Sequence, residues 1–214
     1  MSRRRSAVPE PTSERAAAIP DVAAADLGRL SRVCDHRHGT PWYFSCRDGR
    51  EPQAGRFDLA DGRGACYFSD DDLAALYERL TDPDDLETLV PTSVLDRLRV
   101  WRHTPPPPGV AADTTAATGG LPKEFGAGTH YGRYRAWADL LDATGRAAVR
   151  TWSRMAPHAA RNVTAFGDAG PAPHLPDDGF AAASDWSAQL VELGLAEPDP
   201  RLDDLDVADG PGRA

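Results

Sequence analysis

GRFDLADGRGACYFSDDDLAALYERL, residues 55–80, changes period partway along its length. Gly55-Arg56-Phe57 reads as a turn-like lead, and Asp61-Gly62-Arg63-Gly64 as a loop of turn residues. Ala65-Cys66-Tyr67-Phe68 has strand character. Leu73, Leu76, Tyr77 and Leu80 then recur at i, i+3, i+4 and i+7, which predicts a helix with one face packed on a core. A short side-chain oxygen at Ser69 or Asp70 suits the cap of that helix, because it can accept from the free N–H groups of the first turn. The stretch therefore reads as loop, strand, tight turn, helix. Glu78 lies one step from the apolar face.

Working outward on the N-terminal side, Leu30–Cys34 alternates as a strand, followed by a turn and the aromatic cluster Trp42-Tyr43-Phe44. Asp21–Leu30 reads as a short helix. Residues 1–20 are rich in Arg, Ser, Pro and Ala and are expected to form a disordered tail. On the C-terminal side, Asp82–Asp85 opens a helix-like segment reaching Val90, and Pro91 opens another with Val94, Leu95 and Leu98 on one side. Arg99–His103 alternates as a strand, and the stretch from Pro105 to Lys123 reads as a long loop. Tyr134, Trp137, Ala138 and Leu141 mark a helix closed near Gly145. Ala147–Trp152 and Asn162–Phe166 read as strands, with a modest helix from Trp186 to Leu193 and an acidic disordered tail over 196–214. Short strands interleaved with irregularly spaced helices predict an α+β fold. The expected architecture is one domain over 21–195, with a small mixed or antiparallel sheet and flanking helices.

With 41% hydrophobic residues among 214, the chain can bury one core of ordinary size. Its net charge of -9 argues against sequence-independent nucleic-acid binding, which depends on Lys and Arg. No apolar run approaches the roughly 20 residues that span a bilayer. Cys34, Cys46 and Cys66 form no CxxC pair, so a cytoplasmic protein with free thiols is the simplest reading. His36 and His38 share a strand face but lack further ligands at zinc-like spacing, so no metal is expected. The patterns GxSxG, GxxxxGK[ST], HExxH and GxGxxG are absent.

Arg32 stands in an otherwise uncharged strand, and Arg56 sits between Gly55 and Phe57. A guanidinium in such a place either grips a phosphate or carboxylate with its planar fork, or serves as a salt bridge or surface side chain. Tyr67 suits stacking on a base or ribose as well as core packing. Glu78 suits a fixed anionic role as well as plain solvation. Ser153, at a strand end, suits donation to a ribose hydroxyl or phosphate as well as simple strand termination.

Taken together, LSRVCDHRHGTPWYF, GRFDLADGRGACYFSDDDLAALYE and WADLLDATGRAAVRTWSR resemble the RES-domain family, named for an Arg, a Glu and a Ser. Arg32 falls on the Arg of the family's L-x-R-V opening, Arg56 on its G-R-F/W arginine, and Tyr67 on the aromatic of its Y-L/F-A/S strand. Glu78 falls on the Glu of its A-L-x-E helix and Ser153 on the Ser of its Y-x-S-R segment. The chain departs from the family at Arg146–Val149 and at Trp152. The resemblance implies an ADP-ribosyltransferase-like fold and an NAD-degrading toxin of a toxin–antitoxin pair. NAD would be a substrate rather than a resident cofactor, and phosphate or water would accept the ADP-ribosyl group. Arg32, Glu78 and Ser153 would be catalytic. Arg32 and Arg56 would hold the diphosphate or attacking phosphate, Tyr67 would pack on nicotinamide or ribose, and Ser153 would position a ribose hydroxyl. The implied partner is a small helix-turn-helix antitoxin. Two other readings stay open: transfer of ADP-ribose to a macromolecule, and a non-enzymatic interaction module.

Overall fold

The structure, a computed structural model, describes residues 8–37, 39–49, 54–81, 89–104, 106, 108–116, 125, 131–153, 156, 159–173, 175 and 177–199. In chain order it contains α1 (Ser13–Ala17), β1 (Asp21–Ala23), a 3-10 turn (Ala24–Leu27), β2 (Leu30–Asp35), β3 (Tyr43–Phe44) and β4 (Arg63–Ser69). There follow α2 (Asp72–Leu80), β5 (Val90–Pro91), α3 (Thr92–Leu95), β6 (Leu98–Thr104), β7 (Val110–Asp113), α4 (Tyr131–Ala143), β8 (Ala148–Trp152) and β9 (Arg161–Asp168). The last elements are β10 (Gly170–Pro171), β11 (Phe180–Ala182), a second 3-10 turn (Ala183–Trp186), α5 (Ser187–Glu192) and β12 (Ala196–Glu197).

Strand β4 lies inside an eight-stranded sheet of order β1-β7-β8-β9-β4-β2-β6-β11. The β7–β8 pair is parallel and the other neighbours are antiparallel, so the sheet is mixed and the fold is α+β in one domain. Alternate residues of β4 enter different cores, as the period-2 pleat requires. Ala65 and Tyr67 pack with α4 residues Tyr134, Trp137, Ala138 and Leu141. Cys66 and Phe68 pack on the other face with Trp42, Phe44 and Leu30. Gly64 and Gly167 face each other across β4 and β9, and both lie against Phe44. A Cβ on Gly64 would meet the Phe44 backbone at 2.8 Å, and one on Gly167 would meet its ring at 2.6 Å.

The predicted helix after β4 forms as α2, with Leu76 and Tyr77 buried and Leu73 and Leu80 packed on a third core from β2, β6, α3 and α5. Its cap differs from the expectation. Asp71, in extended conformation, accepts from the Ala74 amide at 2.7 Å. Ser69 instead ends β4, and Asp70 accepts from the Arg161 amide at 2.9 Å. The strand extends past its apolar part Ala65–Phe68 at both ends, because β9 pairs it from Arg63↔Asp168 to Ser69↔Asn162.

Three further expectations are corrected. Asp21–Leu30 is not a helix: its weak face of small side chains yields to pairing of Asp21–Ala23 with β7. The long loop after Pro105 contains β7, whose Val110-Ala-Ala-Asp113 run carries little periodic signal but fills the slot between β1 and β8. The N-terminal residues 8–20 are packed, not a loose tail. Val8, Ala16 and Ile19 are buried against α4. Trp137 donates to the Pro9 carbonyl at 2.8 Å, and Arg133 to that of Val8 at 2.5 Å. Ala196 and Glu197 pair in parallel with β5. Residues 1–7 and 200–214, and the segment 82–88, lie outside the described residues.

Burying a Val or Ile side chain contributes about 1.5–3 kcal/mol each. Deletion of residues 1–19, which strips Val8 and Ile19 from the core, is therefore expected to lower stability by about 3–6 kcal/mol. Urea unfolding of the truncated and full chains reads this directly; equal midpoints would show that the segment is dispensable.

Candidate functional site

Beyond Ser31 opposite Ser69, no further register joins β2 and β4 among the described residues, while β2 continues along β6. A cavity of ≈ 330 Å³ lies at this seam, and Arg32 from β2, Tyr67 from β4, Glu78 from α2 and Arg56 from the preceding loop all line it. Its size is at the lower end for ligand pockets. Thr151, Asn162 and Thr164 complete a polar wall from β8 and β9.

Glu78 is tied on one side. Ser153 Oγ and Asn162 Nδ2 each donate to its Oε1 at 2.7 Å. Ser153 thus reaches the site through Glu78, and its own Oγ also accepts from the Ala156 amide at 3.2 Å. Its position orients the carboxylate, whereas the sequence suggested contact with a ribose hydroxyl. Arg154, the other half of that motif, lies outside the described residues.

Arg32 projects from β2 between the Tyr43 carbonyl, which accepts from Nη1 at 3.2 Å, and the thiol of Cys66, which Nη1 also contacts. Its guanidinium carbon is 5.8 Å from the Phe68 ring centroid. Arg32 has no carboxylate partner among the described residues, and it lines the cavity. Burial raises the Cys66 thiol above its ordinary value, with the Arg32 charge opposing, which keeps a neutral sulfur beside the guanidinium.

Arg56 is placed by aromatic rings and by a buried carboxylate beneath its loop. Its guanidinium carbon lies 5.8 Å from the Tyr134 centroid, 5.9 Å from Phe57 and 6.0 Å from Tyr131, within cation–π range. Asp58 is 1% exposed and accepts from Tyr67 Oη at 2.7 Å, the Gly55 amide at 2.7 Å and Ser45 Oγ at 3.0 Å. Tyr67 Oη in turn accepts from the Phe57 amide at 3.0 Å. Arg135 of α4 donates to the carbonyls of Gly55 and Ala54 at 3.1 and 2.5 Å. Gly55 has no room for a side chain, since a Cβ would stand 2.5 Å from the Tyr67 hydroxyl. The Tyr67 hydroxyl is thus committed to the loop, and its ring is the part available to a ligand.

Burial pushes the Tyr67 phenol well above its ordinary value, and the Asp58 charge and hydrogen bond push it in the same direction. The cavity therefore joins a fixed carboxylate, guanidinium groups and an un-ionised tyrosine. Such a set can hold an anion at one end and stabilise developing positive charge at the other. Three participants were not singled out in the sequence: Asp58, Asn162, and Ser69 in this role. Ser69 Oγ donates to Asn162 Oδ1 at 2.7 Å. No local signal marked Ser69 and Asn162, since only the β4–β9 register sets them opposite one another. Among the described residues no cluster of three or more His, Cys, Asp or Glu could hold a metal ion, and His38 lies outside them.

The family model described as RES domain matches residues 29–190. The chain belongs to the RES-domain family. No curated protein matches it. The RES chain is also similar in fold to a chain of the crystal structure of the M. tuberculosis MbcT–MbcA toxin–antitoxin complex, with a TM-score of 0.55 and 12% identity. That alignment covers 82% of this chain and 94% of the other. Among the described residues of this RES domain, no helix is long and apolar enough to cross a membrane.

Two outcomes follow from the Asp58–Tyr67 pair. Asp58→Ala leaves three donors without their acceptor and is expected to cost at least about 3 kcal/mol in urea unfolding, at roughly 1–3 kcal/mol per orphaned buried group. The raised Tyr67 phenol keeps its proton in the folded chain above pH ~10, where a free tyrosine loses it. Its contribution is fully present below that pH and is lost as pH rises through the higher folded value. Stability of the native chain should therefore fall more steeply above pH ~10 than that of Tyr67→Phe. Parallel slopes in denaturant titrations would contradict this.

Proposed function

We propose that this RES domain degrades NAD by cleaving the bond between nicotinamide and ribose, as the toxin of a toxin–antitoxin pair. The observation that carries the reading is the meeting of Arg32, Arg56, Tyr67 and Glu78 in one cavity, from four separate segments. Family membership and the fold likeness to a chain of a toxin–antitoxin complex support it.

The C1′–N bond to nicotinamide breaks through an oxocarbenium-like state, as in glycoside hydrolysis. The ring leaves as neutral nicotinamide because it is already cationic in NAD, so no strong general acid is needed. Positive charge moves onto the ribose, where the Glu78 carboxylate stabilises it. Arg32 and Arg56 hold the diphosphate, which matters in a chain of net charge -9 whose overall field repels an anion. The Tyr67 ring packs on the nicotinamide–ribose half. An oxygen of phosphate or water then bonds to C1′, giving phosphorolysis or hydrolysis. No resident cofactor takes part. The partner is a small helix-turn-helix antitoxin that closes the cleft.

Purified protein is expected to release nicotinamide from NAD. Glu78→Gln keeps an oxygen for Ser153 and Asn162 but removes the charge, and should lower kcat by about 10²–10³-fold. Unchanged turnover in that variant would remove Glu78 from the chemistry. Product analysis with and without phosphate separates the two acceptors; label from NAD left on protein or nucleic acid would favour macromolecular transfer instead.

A further inference from the structure

We propose that Asn162, locked by Ser69, is a positioning residue that ties one oxygen of Glu78 and leaves the other facing the reacting ribose. The proposal rests on the NAD-cleaving reading for its chemistry, but its geometry stands on this chain alone.

The hydrogen-bond directions are forced. A carboxylate only accepts, so the Asn162 group facing Glu78 Oε1 at 2.7 Å is its NH₂. The amide oxygen then faces Ser69 Oγ at 2.7 Å, and the Ser69 hydroxyl donates to it. Ser69 and Asn162 are direct cross-strand partners in the β4–β9 ladder, so sheet register sets this contact. Ser69 is buried, 2% exposed, and its hydroxyl prevents the amide from turning over. Ser153 Oγ reaches the same Oε1 from the end of β8. Both donors therefore fall on one oxygen. Among the described residues Glu78 Oε2 has no hydrogen-bond partner, and Glu78 lines the cavity.

This arrangement solves a specific problem for a helix-borne glutamate. Glu78 sits in the last turn of α2, on a side chain with three rotatable bonds. Left to itself, the carboxylate would sample several rotamers and rotate about its terminal bond. A misplacement of about 1 Å in a reacting group costs on the order of 100-fold in rate. Ser153, just past β8, and Asn162 of β9 fix it against a rigid sheet, and Ser69 from β4 fixes the second donor. The brace acts on rate through Glu78 and leaves the arginine end of the cavity untouched.

Kinetics of Asn162→Ala, Asn162→Asp, Ser69→Ala and the double variant Ser69→Ala/Asn162→Ala test this. Asn162→Asp keeps size and shape but presents an acceptor to Glu78. Both Asn162 variants are expected to lose roughly 10- to 100-fold in kcat with KM within about threefold. Ser69→Ala should lose less, and the double variant no more than Asn162→Ala, because Ser69 acts through the amide. A drop in thermal stability with kcat preserved, or additive losses from the two positions, would overturn the proposal. If the wild-type chain releases no nicotinamide, the functional reading fails but the brace does not. It is then read from crystal structures of wild type and Asn162→Ala: an unchanged Glu78 carboxylate in the variant overturns it, and a rotated one upholds it.

Discussion

The seam where β2 leaves β4 is the constraint on which the site depends. Ser31 and Ser69 still pair, and beyond them β2 follows β6 while β4 stays with β9. Backbone groups at such an opening need other partners, and side chains must line the gap. The chain meets this with α2, which follows β4 after a short turn and packs its apolar face on β2 and β6. That packing brings Glu78 to the gap from one side, while the strands bring Arg32 and Tyr67 from the other. The cleft is thus a product of sheet topology, with Arg32 supplied by a strand, Glu78 by a helix and Arg56 by a loop.

Two hydrogen-bond centres then divide the labour. Asp58 collects donors from Gly55, Tyr67 and Ser45 and so shapes the loop that carries Arg56. Glu78 collects donors from Ser153 and Asn162 and so presents a single oriented carboxylate. Asp58 is buried and its negative charge is fully engaged by donors, which makes it a scaffold. Glu78 lines the cavity and takes both of its donors on one oxygen, Oε1. The two acids lie twenty residues apart (78 − 58) and differ in burial and partners rather than in residue type.

Periodicity made much of the fold legible. The 3.6-residue repeat of Tyr134, Trp137, Ala138 and Leu141 corresponds to α4, and all four are fully buried. The alternation in Leu30–Cys34 corresponds to β2. What stayed hidden was structure made by long-range pairing of small or polar side chains. Strand β7 carries two alanines between Val110 and Asp113 and is a strand because β1 and β8 flank it. Residues 8–20 look like a tail by composition, but a few apolar anchors and the Trp137 indole hold them. Arg32, Arg56, Tyr67 and Glu78, which line the cavity, stood out in the sequence through the family motifs they fall on, since each alone also suits a structural role. Asn162 and Ser69 did not, since an amide and a hydroxyl acquire meaning only when register sets them opposite one another.

A crystal structure of the chain with ADP-ribose tests most directly whether the two arginines and Glu78 serve one ligand. The expected result is diphosphate oxygens in hydrogen-bond contact with Arg32 and Arg56, with the ribose C1 beside the open oxygen of Glu78. Density for the ligand on another surface, with this cavity vacant at saturating concentration, would contradict it.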